Sequence, residues 1–372
     1  MVMKLLQRLG FPPPPCGGGG REATGGGVPV TSTPPQSAAL TAPPQGGGAK
    51  LAALFALALF LPLAACVADI PTATLEQRYT TPASAFITAS DGTRVHMRDE
   101  GPRDAPVLLL LHGSNSSLQS WEPWVADLTR DTRVISFDFP GHGLTGPAMS
   151  GVYTAPSYLQ IIEDVRKAAG VERAVVAGNS MGGYMAWRYA LAHPERVQGL
   201  VLISAAGYPL AEGRPAVFAL AAAPVLGEMF SSMTNPSMIE RNLKTVMADD
   251  ADVTPELVRR YTDLLLHDGN REATLKRLRT PIDQPDAWQD IGKITAPTLV
   301  LWGAQDPWIP AADATRFGTD IRGATVKVYP DLAHVAHEED PARTLADLRA
   351  FLSALPPAPA AVAAASLDNS SR

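Results

Sequence analysis

One serine lies in a context that favours nucleophilic chemistry. Ser180 is the centre of Gly178-Asn179-Ser180-Met181-Gly182, which fits the pattern G-x-S-x-G. This pentapeptide follows an apolar run predicted as a strand, Ala174 to Ala177, and opens a helical pattern that begins near Met181. Glycines on both sides permit a sharp strand-to-helix turn, and a helix N-terminus favours developing negative charge. We therefore predict that Ser180 is a nucleophile.

The serine needs a base, because its hydroxyl does not ionise at neutral pH without one. His334 lies just after the predicted last strand, Thr325 to Tyr329, and before a helix that starts near Pro341. A histidine in this loop completes the chain order Ser, Asp, His. The alternative base is His337, which we expect on the solvated side of the acidic run that follows it. We therefore predict that His334 is the general base.

The third member of such a site is a carboxylate that orients the histidine. The apolar strand Thr298 to Leu301 is followed by a glycine turn and then by Asp306. Asp313 is a competitor, but it falls on a predicted helix face, where we expect a solvated role. The sequence therefore predicts Asp306 as the residue that holds the imidazole in the productive tautomer.

A tetrahedral oxyanion requires two N–H donors. The residue after the nucleophile supplies one of them, which is the backbone N–H of Met181. The other is expected from the loop after the buried strand Val107 to Leu111, which begins His112-Gly113-Ser114-Asn115. Our choice in that loop is the backbone N–H of Ser114.

The elements around these residues alternate between short apolar strands and helical patterns from about Ala85 onward. This alternation predicts an α/β fold with a mostly parallel sheet flanked by helices. Residues 208–289 contain helical patterns and no convincing buried strand, which predicts a helical cap over the substrate site. The predicted organisation is a leader at 1–50, an apolar signal at 51–66, a linker at 67–84, a core at 85–207 and 290–355, a cap at 208–289 and a disordered tail at 356–372.

The apolar run Leu51 to Ala68 indicates an export signal or a membrane anchor. Within it, Leu63-Ala64-Ala65-Cys66 resembles the lipobox of bacterial lipoproteins. That resemblance implies lipidation of Cys66 and a mature chain anchored to a membrane outside the cytoplasm, and Val67 after the cysteine resembles the pattern sorted to the outer membrane. The alternatives are a single anchoring helix and a secretory signal. The Gly- and Pro-rich residues before Leu51 are interpreted as disordered or as sequence upstream of the true start.

Four blocks resemble the α/β-hydrolase superfamily, in its usual order. They are Leu108 to Gly113, Asp138 to Gly143, Gly178 to Gly183 and Trp302 to Asp306. The resemblance spans about Phe86 to Leu352 and implies an α/β-hydrolase fold with a Ser-His-Asp triad. A serine at position 180 separates the chain from the superfamily's haloalkane dehalogenases and epoxide hydrolases, which carry an aspartate there.

The same resemblance ranks the reactions. The block Gly178 to Gly183 is similar to that of meta-cleavage-product hydrolases, which break a carbon–carbon bond. Those enzymes usually have a glycine-rich oxyanion loop and a tryptophan after the catalytic histidine, whereas this chain has Ser114 to Ser117 and Val335. Carboxylic ester hydrolysis of a small molecule through an acyl-enzyme is therefore ranked first, carbon–carbon hydrolysis second and cofactor-free perhydrolysis third. A non-catalytic, membrane-anchored binding module is the alternative of another class.

Composition narrows the remaining classes of function. The net charge is −6 and there is no basic run interleaved with aromatic residues, so no nucleic acid partner is expected. The two cysteines, Cys16 and Cys66, lie outside the predicted catalytic region, and no Cys/His spacing predicts a zinc site. We expect neither a metal nor a cofactor, and the sequence does not indicate an oligomeric state.

Overall fold

The structure, a computed structural model, describes residues 67–209 and 221–356. Its central sheet has eight strands, which are β1 Ser84–Thr88, β2 Arg94–Glu100, β3 Val107–Leu111, β4 Arg133–Phe137, β5 Ala174–Asn179, β6 Val197–Ile203, β7 Thr298–Gly303 and β8 Thr325–Tyr329. Their order in the sheet is β1-β2-β4-β3-β5-β6-β7-β8. β1 pairs with β2, and β2 with β4, in antiparallel fashion, whereas the other neighbours are parallel.

Helices flank the sheet and fill the interval between β6 and β7. In the described residues the α-helices are α1 Thr72–Tyr79, α2 Glu122–Leu128, α3 Ala155–Ala168, α4 Met181–Ala192, α5 Leu226–Ser232, α6 Pro236–Val246, α7 Pro255–Leu265, α8 Asn270–Arg279, α9 Ala312–Asp320, α10 Ala336–Glu339 and α11 Pro341–Ala354. Short 3-10 helices lie at Leu118–Trp121, Pro194–Arg196, Asp250–Asp252 and Ala287–Lys293.

The central strands are apolar on both sides because helices cover both faces of the sheet. Every residue of β4, β5 and β7 is buried. One apolar cluster contains Leu109, Val176 and Leu202, and a second contains their strand neighbours Leu108, Val175 and Val201. Alternate residues of one strand thus enter the cores on opposite faces. The predicted α/β fold with a mostly parallel sheet and a helical insertion is confirmed.

The insertion consists of α5 to α8, all between β6 and β7. Two of its helices begin at side chains that cap them: Asn235 accepts from the N–H of Met238, and Thr254 accepts from the N–H of Leu257. Such caps satisfy N–H groups that the first helical turn leaves free. The inward faces of α6 and α7 form a small apolar cluster with Val335, the residue after His334. The insertion, hereafter the cap, therefore rests on the loop that carries the predicted base.

The segment 67–84, interpreted from sequence as a linker, is an ordered strap on the cap. It contains α1, whose Leu75 is 0% exposed and packs with Leu144 and Leu264. Tyr79 donates its hydroxyl to the carboxylate of Asp263 over 2.7 Å, and Arg78 forms an ion pair with the same carboxylate. The linker prediction is therefore wrong for this stretch, because Leu75 and Tyr79 have partners on the cap that lie far away in sequence.

Several predicted segments lie outside the described residues. They are the leader and apolar signal at 1–66, which include Cys66, residues 210–220 of the cap, and residues 357–372 of the tail. The helical pattern over residues 216–230 has its first five residues in this group, and the structure describes α5 near its end. Across 67–209 and 221–356, no helix combines the length and the apolar character needed to cross a membrane.

Candidate active site

Ser180 is held in a strained turn between β5 and α4. Its backbone angles are φ 53° and ψ −115°, a conformation that a non-glycine residue adopts only when its surroundings enforce it. The surroundings do so through hydrogen bonds: the Ser180 N–H donates to the carbonyl of Ile203 over 3.0 Å, and its carbonyl accepts from Tyr184 and Ala206. The strain projects the side chain of Ser180 away from the sheet at the start of a helix.

Two glycines make this turn sterically possible. A Cβ on Gly178 would lie 2.3 Å from the carbonyl oxygen of Gly182, and a Cβ on Gly182 would lie 2.0 Å from the carbonyl oxygen of Leu111. Both distances are far below van der Waals contact. Gly178 is therefore required by the tightness of the turn itself, and Gly182 by the close approach of the turn to β3.

The structure brings His334 and Asp306 together. The distance from His334 Nδ1 to Asp306 Oδ2 is 2.7 Å, and both side chains are buried. The other carboxylate oxygen of Asp306 accepts the N–H groups of Trp308 and Ile309 over 2.8 and 3.0 Å. A carboxylate so placed holds the proton on Nδ1, which leaves Nε2 of the neutral ring as the basic nitrogen.

His337 and Asp313, the alternative candidates for the base and the carboxylate, do not lie in solvent as predicted from the sequence. His337 is 1% exposed and stacks at 4.2 Å on the ring of Trp121, so its predicted solvated position is wrong. Burial lowers its pKa to about 3. Asp313 is also buried, with Arg316 at 3.1 Å, because α9 turns that residue inward. Burial raises the pKa of the Asp313 carboxyl, and neither residue contacts the His334–Asp306 pair through a hydrogen bond.

Ser114 and Met181, the predicted oxyanion donors, line the same cavity as Ser180. Within the described part of the chain, neither of their backbone N–H groups donates a hydrogen bond to another residue. The loop that carries Ser114 is fixed by a tight turn, in which the N–H of Ser116 donates to the carbonyl of Gly113 over 3.3 Å. The two N–H groups are thus available to an oxygen atom beside Ser180.

Asn179 and Glu339 support this arrangement and were missed from sequence. Asn179 donates its amide to the carbonyl of His334 over 3.0 Å, so the residue before the serine holds the base. Glu339 accepts the N–H groups of Ala333 and Val335, on both sides of His334, and that of Ala248 in the cap. The adjacency of Asn179 to Ser180 was a usable signal, whereas Glu339 resembles any solvated acid in its run.

A buried polar cluster joins the cap to the loop after His334. Glu338 accepts from Arg260 and from the hydroxyl of Tyr261, each over 2.6 Å. The hydroxyl of Tyr261 also lies 3.3 Å from that of Ser116, in the loop after β3. Burial raises the pKa of the Glu338 carboxyl, an effect that the nearby Arg260 opposes. This cluster connects the cap with both loops that flank Ser180.

Two cavities meet at Ser180, and both are bounded by the cap. The larger has a volume of about 580 Å³ and the smaller about 220 Å³. Ser114, Ser180, Leu278 and Trp308 line both of them, and His334 lines the smaller. Together they form a largely apolar, partly open site of a size suited to a small organic molecule.

Among residues 67–209 and 221–356, no group of three or more His, Cys, Asp or Glu side chains is arranged to hold a metal ion. The side chains of Ser180 and His334 are of the types that perform nucleophilic attack and proton transfer.

Comparison with known proteins places the chain among hydrolases. A relative from Cupriavidus pinatubonensis, named 2-hydroxy-6-oxononadienedioate/2-hydroxy-6-oxononatrienedioate hydrolase, is 29% identical over 270 residues, which cover 69% of this chain and 90% of the relative. A 2-hydroxymuconate semialdehyde hydrolase from Pseudomonas sp. is 28% identical over 277 residues, which cover 70% of this chain and 91% of the relative.

A solved structure gives the same result. The meta-cleavage product hydrolase from Pseudomonas fluorescens IP01 superposes with a TM-score of 0.62 at 26% identity, covering 72% of this chain and 97% of that chain. The profile of the alpha/beta hydrolase fold family matches residues 106–341. With the sheet, the strained serine turn and the sequence match in agreement, this chain belongs to the alpha/beta hydrolase fold family, and it is a hydrolase.

Proposed function

We propose that the protein is a serine hydrolase in which Ser180 is the nucleophile, His334 the general base and Asp306 the residue that orients the base. One observation carries the proposal. A histidine that lies 2.7 Å from a buried carboxylate, between Nδ1 and Oδ2, lines the same cavity as a serine held at φ 53° on a strand-to-helix turn. This is the constellation that acyl transfer through serine requires.

In the proposed reaction, Nε2 of His334 takes the proton of the Ser180 hydroxyl as its oxygen attacks the substrate carbonyl. The negative charge that develops on the carbonyl oxygen is stabilised by the N–H groups of Ser114 and Met181. The protonated imidazole, stabilised by Asp306, then gives its proton to the leaving group as the acyl-enzyme forms. Water repeats the sequence, attacks the acyl-enzyme and releases the acid.

Two bond types fit this mechanism. Hydrolysis of a small carboxylic ester is the first candidate, since the triad and an apolar cavity suffice for it. Hydrolysis of a carbon–carbon bond in a dienoate diketone is the second candidate. It is favoured by the similarity to the 2-hydroxy-6-oxononadienedioate/2-hydroxy-6-oxononatrienedioate hydrolase and the 2-hydroxymuconate semialdehyde hydrolase. Perhydrolysis uses the same triad and ranks third. A binding module without catalysis is disfavoured because Ser180, His334 and Asp306 are all present.

The test is a substrate panel with matched histidine variants. The wild type is assayed with p-nitrophenyl esters of increasing acyl length and with a dienoate diketone, beside Ser180→Ala, His334→Ala and His337→Phe. We expect the first two substitutions to lower turnover by roughly five to six powers of ten, and His337→Phe to leave it within about tenfold. Turnover that survives Ser180→Ala, or no turnover of any substrate by the wild type, contradicts the proposal.

We also propose, from the sequence alone, that Cys66 carries a lipid and anchors the mature chain to a bacterial membrane. Two or more acyl chains on one cysteine suffice for stable anchoring, whereas one does not. In a bacterial host, the wild type should take up labelled palmitate and be shortened, and Cys66→Ser should do neither. Equal mobility without label in both proteins would instead favour an uncleaved anchor or a secretory signal.

A further inference from the structure

The cap contributes a buried cation to the wall of the larger cavity. Arg277, near the end of α8, is 8% exposed and lines this cavity together with Ser180. Its Nη1 lies 2.5 Å from Ser114 Oγ and 3.7 Å from Met181 Sδ, and its Nη2 lies 3.0 Å from Asn115 Oδ1. The guanidinium therefore contacts the side chains of Ser114 and Met181, the two residues proposed to supply the oxyanion N–H groups.

No carboxylate pairs with this cation among the described residues. Three further cap arginines, Arg260, Arg271 and Arg279, do have an acidic partner, at 2.6, 2.7 and 2.6 Å. Arg277 has only a hydroxyl, an amide oxygen and a thioether, and burial lowers its pKa. A charge buried without a counter-ion is costly, so the site favours an anion that arrives with a ligand.

The acid that lines the same cavity is already neutralised. Asp283 lies 2.6 Å from Arg188 and accepts the hydroxyl of Tyr184 over 3.0 Å. The buried His142 adds no second positive charge near Arg277, since burial and Arg277 both lower its pKa. Among the described residues that line the larger cavity, Arg277 is thus a positive charge without a counter-ion.

The donors of Arg277 are arranged to accept a carboxylate. A guanidinium has five N–H groups. The contacts with Ser114 and Met181 use the two N–H groups of Nη1, and the contact with Asn115 uses one N–H group of Nη2. The Nε–H and one Nη2–H have no partner among the described residues. These two nitrogens lie on one edge of the guanidinium, which matches the two oxygens of a carboxylate.

From this geometry we propose that Arg277 is a substrate-binding residue that selects carboxylic acids: the substrate carries a carboxylate, bound at Arg277 in the larger cavity, a few atoms away from the carbonyl that Ser180 attacks. That the bound acid is a substrate rests on the proposed function, but the anion site itself can be tested without turnover. Because Arg277 contacts Ser114 and Met181, which line the same cavity as Ser180, few atoms can separate the carboxylate of the substrate from the carbonyl that is attacked.

The kinetic test compares acidic with neutral esters of equal length. Phenyl monoesters of succinic and glutaric acid are assayed beside the corresponding phenyl methyl diesters, with wild type, Arg277→Met and Arg277→Lys. Arg279→Met is the matched control, because Arg279 lies two residues on in the same helix and pairs with Glu228 at the surface. Thermal unfolding verifies that each variant is folded.

We expect the wild type to prefer the acidic esters. Arg277→Met should lower kcat/KM for them by about 10- to 100-fold, mainly through KM, as the loss of a charge-assisted pair implies. The diesters should change by less than about threefold, Arg277→Lys should recover part of the loss, and Arg279→Met should match the wild type. An equal loss for acidic and neutral esters overturns the proposal, because a role limited to holding the Ser114 loop would produce it.

A binding measurement separates this proposal from the proposed function. Succinate and glutarate are titrated by calorimetry, at low salt, into Ser180→Ala protein with and without Arg277→Met. We expect binding that weakens by about 10- to 100-fold in the double variant. Binding that is unchanged, or no binding to either protein, overturns the anion site even if ester turnover is found. Binding without any turnover by the wild type would instead retain the anion site and contradict the proposed function.

Discussion

Glu339 offers a sharp test of how the base is positioned. Its carboxylate accepts three backbone N–H groups, from Ala248, Ala333 and Val335, over 2.8 to 3.1 Å. In Glu339→Gln one of the acceptor oxygens becomes an NH₂ group, which cannot accept and must face at least one N–H. Hydrogen bonds to an ionised group contribute about 1.5–3 kcal/mol each, so we expect a loss of about 2 kcal/mol in the free energy of unfolding.

The effect on catalysis follows from where those N–H groups lie. Two of the three flank His334, and a displacement of about 1 Å in a catalytic group costs about 100-fold in rate. We therefore expect Glu339→Gln to lower kcat by about 10- to 100-fold with little change in KM, measured by steady-state kinetics well below the melting temperature.

The matched control is Asp340→Ala, since Asp340 accepts the N–H of Arg343 and caps only its own helix, a cap worth about 1 kcal/mol. It should lower stability and leave kcat unchanged. If Glu339→Gln retains the wild-type kcat, or if both variants lose kcat equally, then Glu339 does not position the base.

Three further predictions concern other parts of the site and fold. Asp306→Asn should lower kcat by about four powers of ten through the wrong imidazole tautomer; an enzyme unaffected in steady-state assays would point to another carboxylate. His337 has a folded pKa of about 3 against 6.5 when unfolded, so its contribution to stability is full above pH 6.5 and is lost as the pH falls, by up to about 1.4 kcal/mol per unit. Urea unfolding from pH 7 to 5 should therefore show a smaller loss for His337→Phe than for wild type, and parallel curves would refute this. Leu75→Ala should lower the free energy of unfolding by about 2–5 kcal/mol, and a loss below 1 kcal/mol in urea would show that the strap contributes little.

Residues with a local sequence signature were predictable. Ser180 was identified by a glycine pattern that only a close approach between chain segments requires, and the strands by apolar runs that a sheet covered on both faces requires. Val107–Leu111 and Thr325–Tyr329 were predicted with the bounds that the structure has. Asp306 and His334 followed from the loops that end neighbouring parallel strands.

Residues whose roles depend on distant partners were not predictable. Arg277 differs from Arg279 only in what lies opposite it across the cap. Glu339 is one acid of three in a row, and its function is set by backbone N–H groups that arrive from two other segments. His337 was expected in solvent because acids surround it in sequence, but the short helix α10 turns it between Trp121 and Trp124.

The strap changes what an N-terminal attachment would mean. Its first described residue is already bound to the cap: the N–H of Val67 donates to the carbonyl of Ser232 over 2.9 Å, and its carbonyl accepts from Arg271 over 2.7 Å. A chain cleaved before Cys66 would have no slack, since one residue spans only about 3.5 Å. A lipid on Cys66 would hold the cap itself at the bilayer surface. A long flexible linker would instead let the whole domain move away from the membrane.

The cap carries exposed apolar side chains close to that point. Val225, Leu226, Met229 and Met233, on or next to the helix that ends at Ser232, are 69%, 51%, 47% and 42% exposed. A hydrolase fixed by Cys66 would then meet its substrate in one orientation, with its cap toward the lipid. A flexible insert between Cys66 and Val67 would let the hydrolase rotate relative to the membrane, and it would leave every proposed catalytic residue unchanged.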